Sequence, residues 1–117
     1  MNMDLIYGIW EMHTISSFKN GEPTSERAKS GMFVFTRDNR LAVVSGANEW
    51  VMAYCGSFEI KEEVLIIHTE SCSVREREGT DMTRKILKLD SDWLILGAKS
   101  EDRGTSAEMT WKRELSL

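Results

Sequence analysis

The chain has 117 residues, 41% of them apolar and 29% charged, so we expect one globular domain over residues 1–117 with a single buried core. Its net charge of −4 disfavours a nucleic-acid partner, and its longest apolar runs are far too short to cross a membrane as a helix. No basic segment leads into a long apolar stretch, so we expect a cytoplasmic protein, or a mature form whose signal peptide has been removed.

The first predicted strand begins at Gly8-Ile9-Trp10, where apolar and polar side chains start to alternate with period two. It runs toward a predicted turn at Asn20-Gly21. Residues 19–29 are polar and contain Pro23, the one proline of the chain. We therefore predict a long loop over one end of the structure, with room for a short helical turn at residues 25–29.

The rest of the chain reads as further strands joined mainly by short polar turns. Strands over residues 32–36 and 41–44 form a predicted hairpin. A glycine inside a strand typically marks a bulge or a sharp bend, and Gly56 lies within one of the strands that follow. The charged run Arg75-Glu76-Arg77-Glu78 is predicted to be a solvated segment and not a binding patch. The later strands are predicted over residues 50–60, 64–71, 81–89, 93–98 and 105–114.

This order of strands predicts an all-β fold, an antiparallel up-and-down barrel of about eight strands. The same strands would also permit a two-sheet sandwich. We favour the barrel because Gly56 provides a bend, and because Trp10 and Arg113 would meet if the first and last strands pair. An arginine can then lie over the indole face, which makes Gly8, Trp10 and Arg113 the predicted structural closure residues.

A set of motifs in fixed order covers nearly the whole chain. They are Gly8-Ile9-Trp10, Gly31-Met32-Phe33-Val34-Phe35-Thr36-Arg37-Asp38-Asn39, Ala53-Tyr54-Cys55-Gly56-Ser57-Phe58-Glu59, Val64 to His68, Gly79-Thr80 with Arg84 to Leu89, and Met109-Thr110-Trp111-Lys112-Arg113. In this order they resemble the small bacterial lipocalin-like domains of the wider lipocalin or calycin group. The resemblance implies a lipocalin-like barrel, but it implies no particular ligand, because members of this group hold unrelated ligands or none.

Among the titratable residues, His68 is the strongest candidate for a functional role. It shares a strand face with Glu70, because strand side chains alternate with period two. We favour the interpretation that this face points inward, where the pair would orient a polar ligand group or act as a general base and its partner. The alternative is that Leu65, Ile67 and Thr69 face inward and that His68 faces solvent.

Two other pairs are candidates for a ligand site. Arg84 and Lys85 lie on opposite faces of one strand, so either residue can bring a cation inside to pair with a ligand carboxylate. The alternative is a charge that reaches solvent at the barrel rim. Tyr54 and Phe58 share a face with Gly56 between them, which indicates an aromatic-walled slot unless both rings simply pack in the core.

Metal and cofactor chemistry has little support in this sequence. Cys55 and Cys72 are too few for a disulfide framework and are expected to be free thiols. Together with His13 and His68 they match no zinc spacing, so we expect neither a metal nor a cofactor. The chain also has no nucleophile elbow, phosphate-binding loop or dinucleotide motif.

We expect a binding protein, more than an enzyme, that takes a small and mostly apolar or amphipathic molecule. One alternative is a cofactor-free cyclase, isomerase or dehydratase with His68 and Glu70 as its acid–base pair. Another is a structural or dimerising module whose barrel is filled by its own side chains. The protein is expected to be a monomer or a homodimer. The candidate ligand-binding residues are Tyr54, Phe58, His68, Glu70, Arg84 and Lys85.

Overall fold

A computed structural model describes residues 1–28, 30–47, 50–100 and 104–117. Within these residues nine strands form one antiparallel sheet, and the first and last strands pair with each other. Eight strands therefore close a barrel and β2 is an extra strand, which confirms the predicted fold. The strands are β1 (Gly8–Lys19), β2 (Glu22–Ala28), β3 (Ser30–Phe35), β4 (Arg40–Ala47), β5 (Trp50–Lys61), β6 (Val64–Cys72), β7 (Asp81–Leu89), β8 (Trp93–Ser100) and β9 (Thr105–Ser116).

The prediction of a long loop over residues 19–29 is wrong, because most of this segment forms strand β2. β3 pairs with the first part of β1 and β2 pairs with residues 14–19, so β2 continues β3 along the same neighbour. The turn at Asn20-Gly21 is confirmed, with φ values of 50° and 82°. Residues 22–24 are exposed, so the start of this strand has no buried apolar side chain that would mark it in the sequence. Lys29, the end of the predicted helical turn, lies outside the described residues.

The core is built from one face of the strands and is rich in aromatic rings. Trp10, Phe33, Phe35 and Trp111 are among the largest fully buried side chains. Phe33 stacks on Phe35 with ring centroids 4.2 Å apart and meets Trp111 edge-on at 5.2 Å. All four lie on the half of their strands nearest the end where β1 begins. That half of the barrel is therefore packed with side chains.

The same end is covered by a short 3₁₀ helix, Met3–Ile6. Trp10 is fully buried beneath it, and its Nε1 donates a hydrogen bond of 2.9 Å to the carbonyl oxygen of Ile6. The guanidinium of Arg113 lies over the indole of Trp10, 4.1 Å from the ring centroid. The contact joins β1 to β9, where Trp10 and Arg113 are register partners.

Arg113 also binds three backbone carbonyls at this closed end. It donates hydrogen bonds to the carbonyl oxygens of Tyr7 at 3.1 Å, Ser91 at 2.6 Å and Leu5. Gly8 leaves room for this arrangement, since a Cβ on Gly8 would lie 2.6 Å from Nη1 of Arg113. One guanidinium therefore connects the N-terminal segment, the turn before β8 and the last strand.

Candidate functional site

The opposite end of the barrel opens into a cavity of about 560 Å³. It lies where β1 and β8 end and where β7 and β9 begin. Hydroxyl groups belong to six of its lining residues, and three others carry positive charge. Its apolar lining residues are Phe18, Met82, Ala98 and Ala107. This is a mixed surface of the kind that binds a molecule with both an apolar and a polar part.

The barrel wall beside this cavity is open between β7 and β8. The pairing of these strands stops at Lys85 and Gly97. Beyond that point residues 81–84 pair with β6, and residues 98–100 pair with β9. The cavity therefore adjoins a groove of about 590 Å³ on the outer face of the barrel. The residues that line both are Thr83, Ala98, Lys99, Ser106 and Ala107.

Arg77 and Arg84 bring positive charge to the cavity from two different elements. Arg84 is half-buried on β7, two residues after the buried Met82, and Arg77 lies in the 3₁₀ turn Arg75–Arg77. Burial raises the pKa of the Tyr54 phenol, while the charges of Arg84 and Arg77 act to lower that pKa. The phenol therefore remains protonated at neutral pH.

Two buried polar atoms lack a hydrogen-bond partner within the described part of the chain. They are Oγ1 of Thr69 on β6 and Nε1 of Trp111 on β9. The two residues are only 3% and 2% exposed, respectively. A buried polar group without a partner lowers stability, and in proteins such groups are normally satisfied by water or by a bound molecule.

His68 and Glu70 lie on the outer face of β6, so the interpretation that they enter the barrel is wrong. The buried residues of this strand are Leu65, Ile67, Thr69 and, at its end, Cys72. Turning the strand over would desolvate an imidazole and a carboxylate and would expose two large apolar side chains, both of which are unfavourable. The acid–base pair of the enzymatic alternative is therefore not in the cavity.

On the outer face, His68 and Glu70 belong to separate ion pairs. Nδ1 of His68 lies 2.8 Å from Oδ1 of Asp81, and its Nε2 lies 3.6 Å from Oε1 of Glu59. Glu70 pairs with Arg40 at 2.7 Å. Exposed pairs of this kind contribute little to stability. Across the described residues, no group of histidine, cysteine, aspartate and glutamate side chains is arranged to hold a metal ion.

We expect the His68 imidazole to titrate above its ordinary pKa of 6.5, because its hydrogen bond with Asp81 stabilises the protonated form. The raised pKa in the folded state means that His68 contributes its full stabilisation below pH 6.5 and loses it as the pH rises through the folded-state pKa. NMR titration of the imidazole should show this shift, and Asp81→Asn should move the midpoint back toward 6.5. A midpoint that this substitution leaves unchanged would contradict the assignment.

Three other predicted site residues have surroundings that differ from the predicted ones, namely Lys85, Tyr54 and Phe58. Lys85 is exposed and lines the outer groove, whereas Arg84 takes the inward position. Phe58 is buried in the core, and Tyr54 packs against that core. The predicted slot between the two rings is wrong, because the space beside Gly56 is filled by the backbone carbonyl of His68.

Several residues of the cavity wall were not predicted from the sequence, namely Arg77, Lys99 and the hydroxyl residues. Arg77 belongs to the charged run that was predicted to be a solvated segment. Four of the six hydroxyl residues lie at the ends of β1, β8 and β9, where polar residues interrupt the apolar alternation, and the other two lie on β2 and β7. That interruption was the available signal, but strand ends near turns show it in most proteins.

Comparison with known proteins bears on the fold. No family model matches this chain, and no curated protein matches it. A lipocalin-like protein from Bacteroides uniformis aligns over 95% of this chain and 99% of its own, with 15% identity and a TM-score of 0.63. An uncharacterised protein from Bacteroides eggerthii aligns over 92% of this chain and 98% of its own, with 12% identity and a TM-score of 0.60.

These likenesses concern structure and not sequence, since the identities are low. Among the described residues no helix has the length and apolar character needed to span a bilayer. The ordered motifs, the closed sheet and the two structural neighbours agree with one another. The predicted resemblance is thereby confirmed for the fold, and this chain is a lipocalin-like β-barrel.

Proposed function

We propose that this protein binds a small amphipathic molecule at the open end of its barrel. The observation that carries this proposal is the cavity of about 560 Å³, which lies within the range of roughly 300–1,000 Å³ typical of small-molecule sites. Phe18 and Met82 offer apolar contact there, and the hydroxyl and cationic residues offer polar contact. The lipocalin-like fold supports this proposal, because such a barrel suggests a binding protein.

The two alternative functions have weaker support. A wholly filled barrel fits the packed half around Trp10 but not the open half. An enzyme that uses His68 and Glu70 lacks its acid–base pair inside the cavity, because both residues lie on the outer face. The cytoplasmic location, the monomeric or homodimeric state, and the absence of membrane and nucleic-acid partners stay predictions.

A fluorescence titration with N-phenyl-1-naphthylamine, a small neutral probe that brightens in apolar surroundings, tests this proposal. We expect saturable binding to the wild-type protein. Ser17→Phe adds a ring to the cavity wall and should weaken binding by about fivefold or more, since the ligand loses contact area. Ala42→Phe adds the same ring to an exposed position on β4 and is the matched control.

Two outcomes would count against binding at the open end. One is the absence of saturable binding to the wild-type protein. The other is an equal loss of affinity in the Ser17→Phe and Ala42→Phe variants, because that result would locate the probe elsewhere. Circular dichroism of both variants confirms that the added rings leave the sheet intact.

A further inference from the structure

We propose that the polar group of the ligand is an anion, such as a carboxylate, sulfonate or phosphate, held by Arg77 and Arg84 at the cavity wall. This inference rests on the proposed function, because it names the chemical class of molecule that the cavity takes. It commits to a small molecule with one acidic group beside an apolar body. The observations that carry it are the sign of the cavity's charges, the state of its guanidinium donors and the apolar surface beside them.

The charged side chains that line the cavity all have the same sign. The whole chain has a net charge of −4, yet the charged lining residues among those described are Arg77, Arg84 and Lys99. Cations from the 3₁₀ turn, from β7 and from β8 therefore converge on one concave surface. A cleft lined by a single sign of charge attracts and concentrates ligands of the opposite sign.

The guanidinium groups of Arg77 and Arg84 have N–H donors that are not engaged by strong acceptors. Nη1 of Arg84 donates to the carbonyl oxygen of Thr83 at 2.8 Å. Nη1 of Arg77 lies 3.8 Å and 3.9 Å from the sulfur atoms of Met52 and Met82, which are weak acceptors. In the described part of the chain neither arginine makes an ion pair. Each guanidinium carries five N–H donors, so most remain available.

Three other arginines, Arg37, Arg40 and Arg113, have well-defined contacts, and two of them illustrate donors that are already occupied. Arg113 donates hydrogen bonds to three backbone carbonyls, and Arg40 forms an ion pair with Glu70 at 2.7 Å. Arg113 closes the barrel and Arg40 is a surface pair, so both have structural roles. Arg77 and Arg84 have no comparable structural role, and both line the cavity.

An anion satisfies this surface better than a neutral group does. Arg84 is half-buried beside the buried Met82, so its charge is partly removed from water. A neutral ligand would remove still more water without supplying a counter-charge. A carboxylate or sulfonate forms short, charge-assisted hydrogen bonds with the planar guanidinium fork.

Two probes that share one ring system separate charge from apolar contact. 8-Anilino-1-naphthalenesulfonate has the rings of N-phenyl-1-naphthylamine and adds one sulfonate. We expect the wild-type protein to bind the sulfonate probe about tenfold more tightly, the equivalent of one good charge-assisted contact. Arg84→Gln and Arg77→Gln should each weaken the sulfonate probe by about tenfold and change the neutral probe by less than about twofold.

Matched controls remove the same charge from the same elements outside the cavity. Arg75→Gln alters the 3₁₀ turn that holds Arg77, and Lys88→Gln alters an exposed position of β7. Both should leave the affinity for the sulfonate probe within about twofold of the wild type. A measurement without substitutions adds a second readout, since added salt should weaken the sulfonate probe and leave the neutral probe unchanged.

The outcomes distinguish this inference from the function on which it rests. If the neutral probe binds and the sulfonate probe has no advantage, the anion site is wrong and the proposed function stands. The same holds if the control variants weaken the sulfonate probe as much as Arg77→Gln and Arg84→Gln do. If neither probe binds the wild-type protein, the proposed function and the anion site both fail.

Discussion

Replacing Trp10 with alanine is expected to lower the free energy of unfolding by about 3–5 kcal/mol. The indole is fully buried, so its removal leaves a cavity beneath the 3₁₀ helix that covers the closed end. The hydrogen bond from its Nε1 to Ile6 is lost as well, and the guanidinium of Arg113 loses the ring over which it lies. All three losses act at the closed end of the barrel, and the last of them acts on the junction between the first and last strands.

Denaturant unfolding followed by circular dichroism measures this effect, with Trp93→Ala as the matched control. Trp93 is half-exposed at the start of β8 and contacts His13 and Lys112 on the outer face. Its removal should cost about 1 kcal/mol, because it opens no enclosed cavity. An unchanged midpoint for Trp10→Ala, or equal losses in the two variants, would show that Trp10 does not hold the barrel closed.

Eight of the nine described strands could be predicted from sequence, whereas β2 was missed and the face that each strand buries could not always be predicted. Alternation with period two identified β6, but both of its faces begin with apolar residues, since Val64 and Ile66 face outward and Leu65 and Ile67 face inward. The choice depends on the whole barrel, because β6 must fit between β5 and β7. The wrong orientation of His68 follows from that ambiguity.

The cavity at the open end could not be predicted from the sequence, for a different reason. Its walls come from six segments of the chain, and no local pattern says that Ser17, Arg77 and Lys99 meet. The opening in the wall depends on where the pairing of β7 and β8 stops, at Lys85 and Gly97. Such an end to pairing is set by the twist and packing of the complete sheet. Arg84 was named only together with Lys85, because alternation places the two residues on opposite faces without saying which face is buried.

The position of the bulge in β5 is a point where sequence and structure agree, although the physical reason differs. Gly56 was expected to mark a bend, and the register of β5 against β6 does shift between Cys55 and Gly56. The expectation that glycine leaves open space there is wrong. A Cβ at this position would overlap the carbonyl oxygen of His68 and lie 3.2 Å from the amide nitrogen of Glu70. Glycine is required because the neighbouring backbone approaches so closely.

Gly56→Ala is therefore expected to destabilise the protein by about 2–4 kcal/mol, because β6 must move away from β5 to admit one methyl group. Gly97→Ala is the matched control, since a Cβ on this strand glycine would meet only the side chain of Leu87, at 3.2 Å. A flexible side-chain tip can yield, and alanine also restricts the unfolded chain, so this change should stay within about 1 kcal/mol of the wild type. Denaturant midpoints of the two variants measure the difference. Equal effects would mean that the bulge tolerates a side chain and that the curl of the barrel does not depend on Gly56.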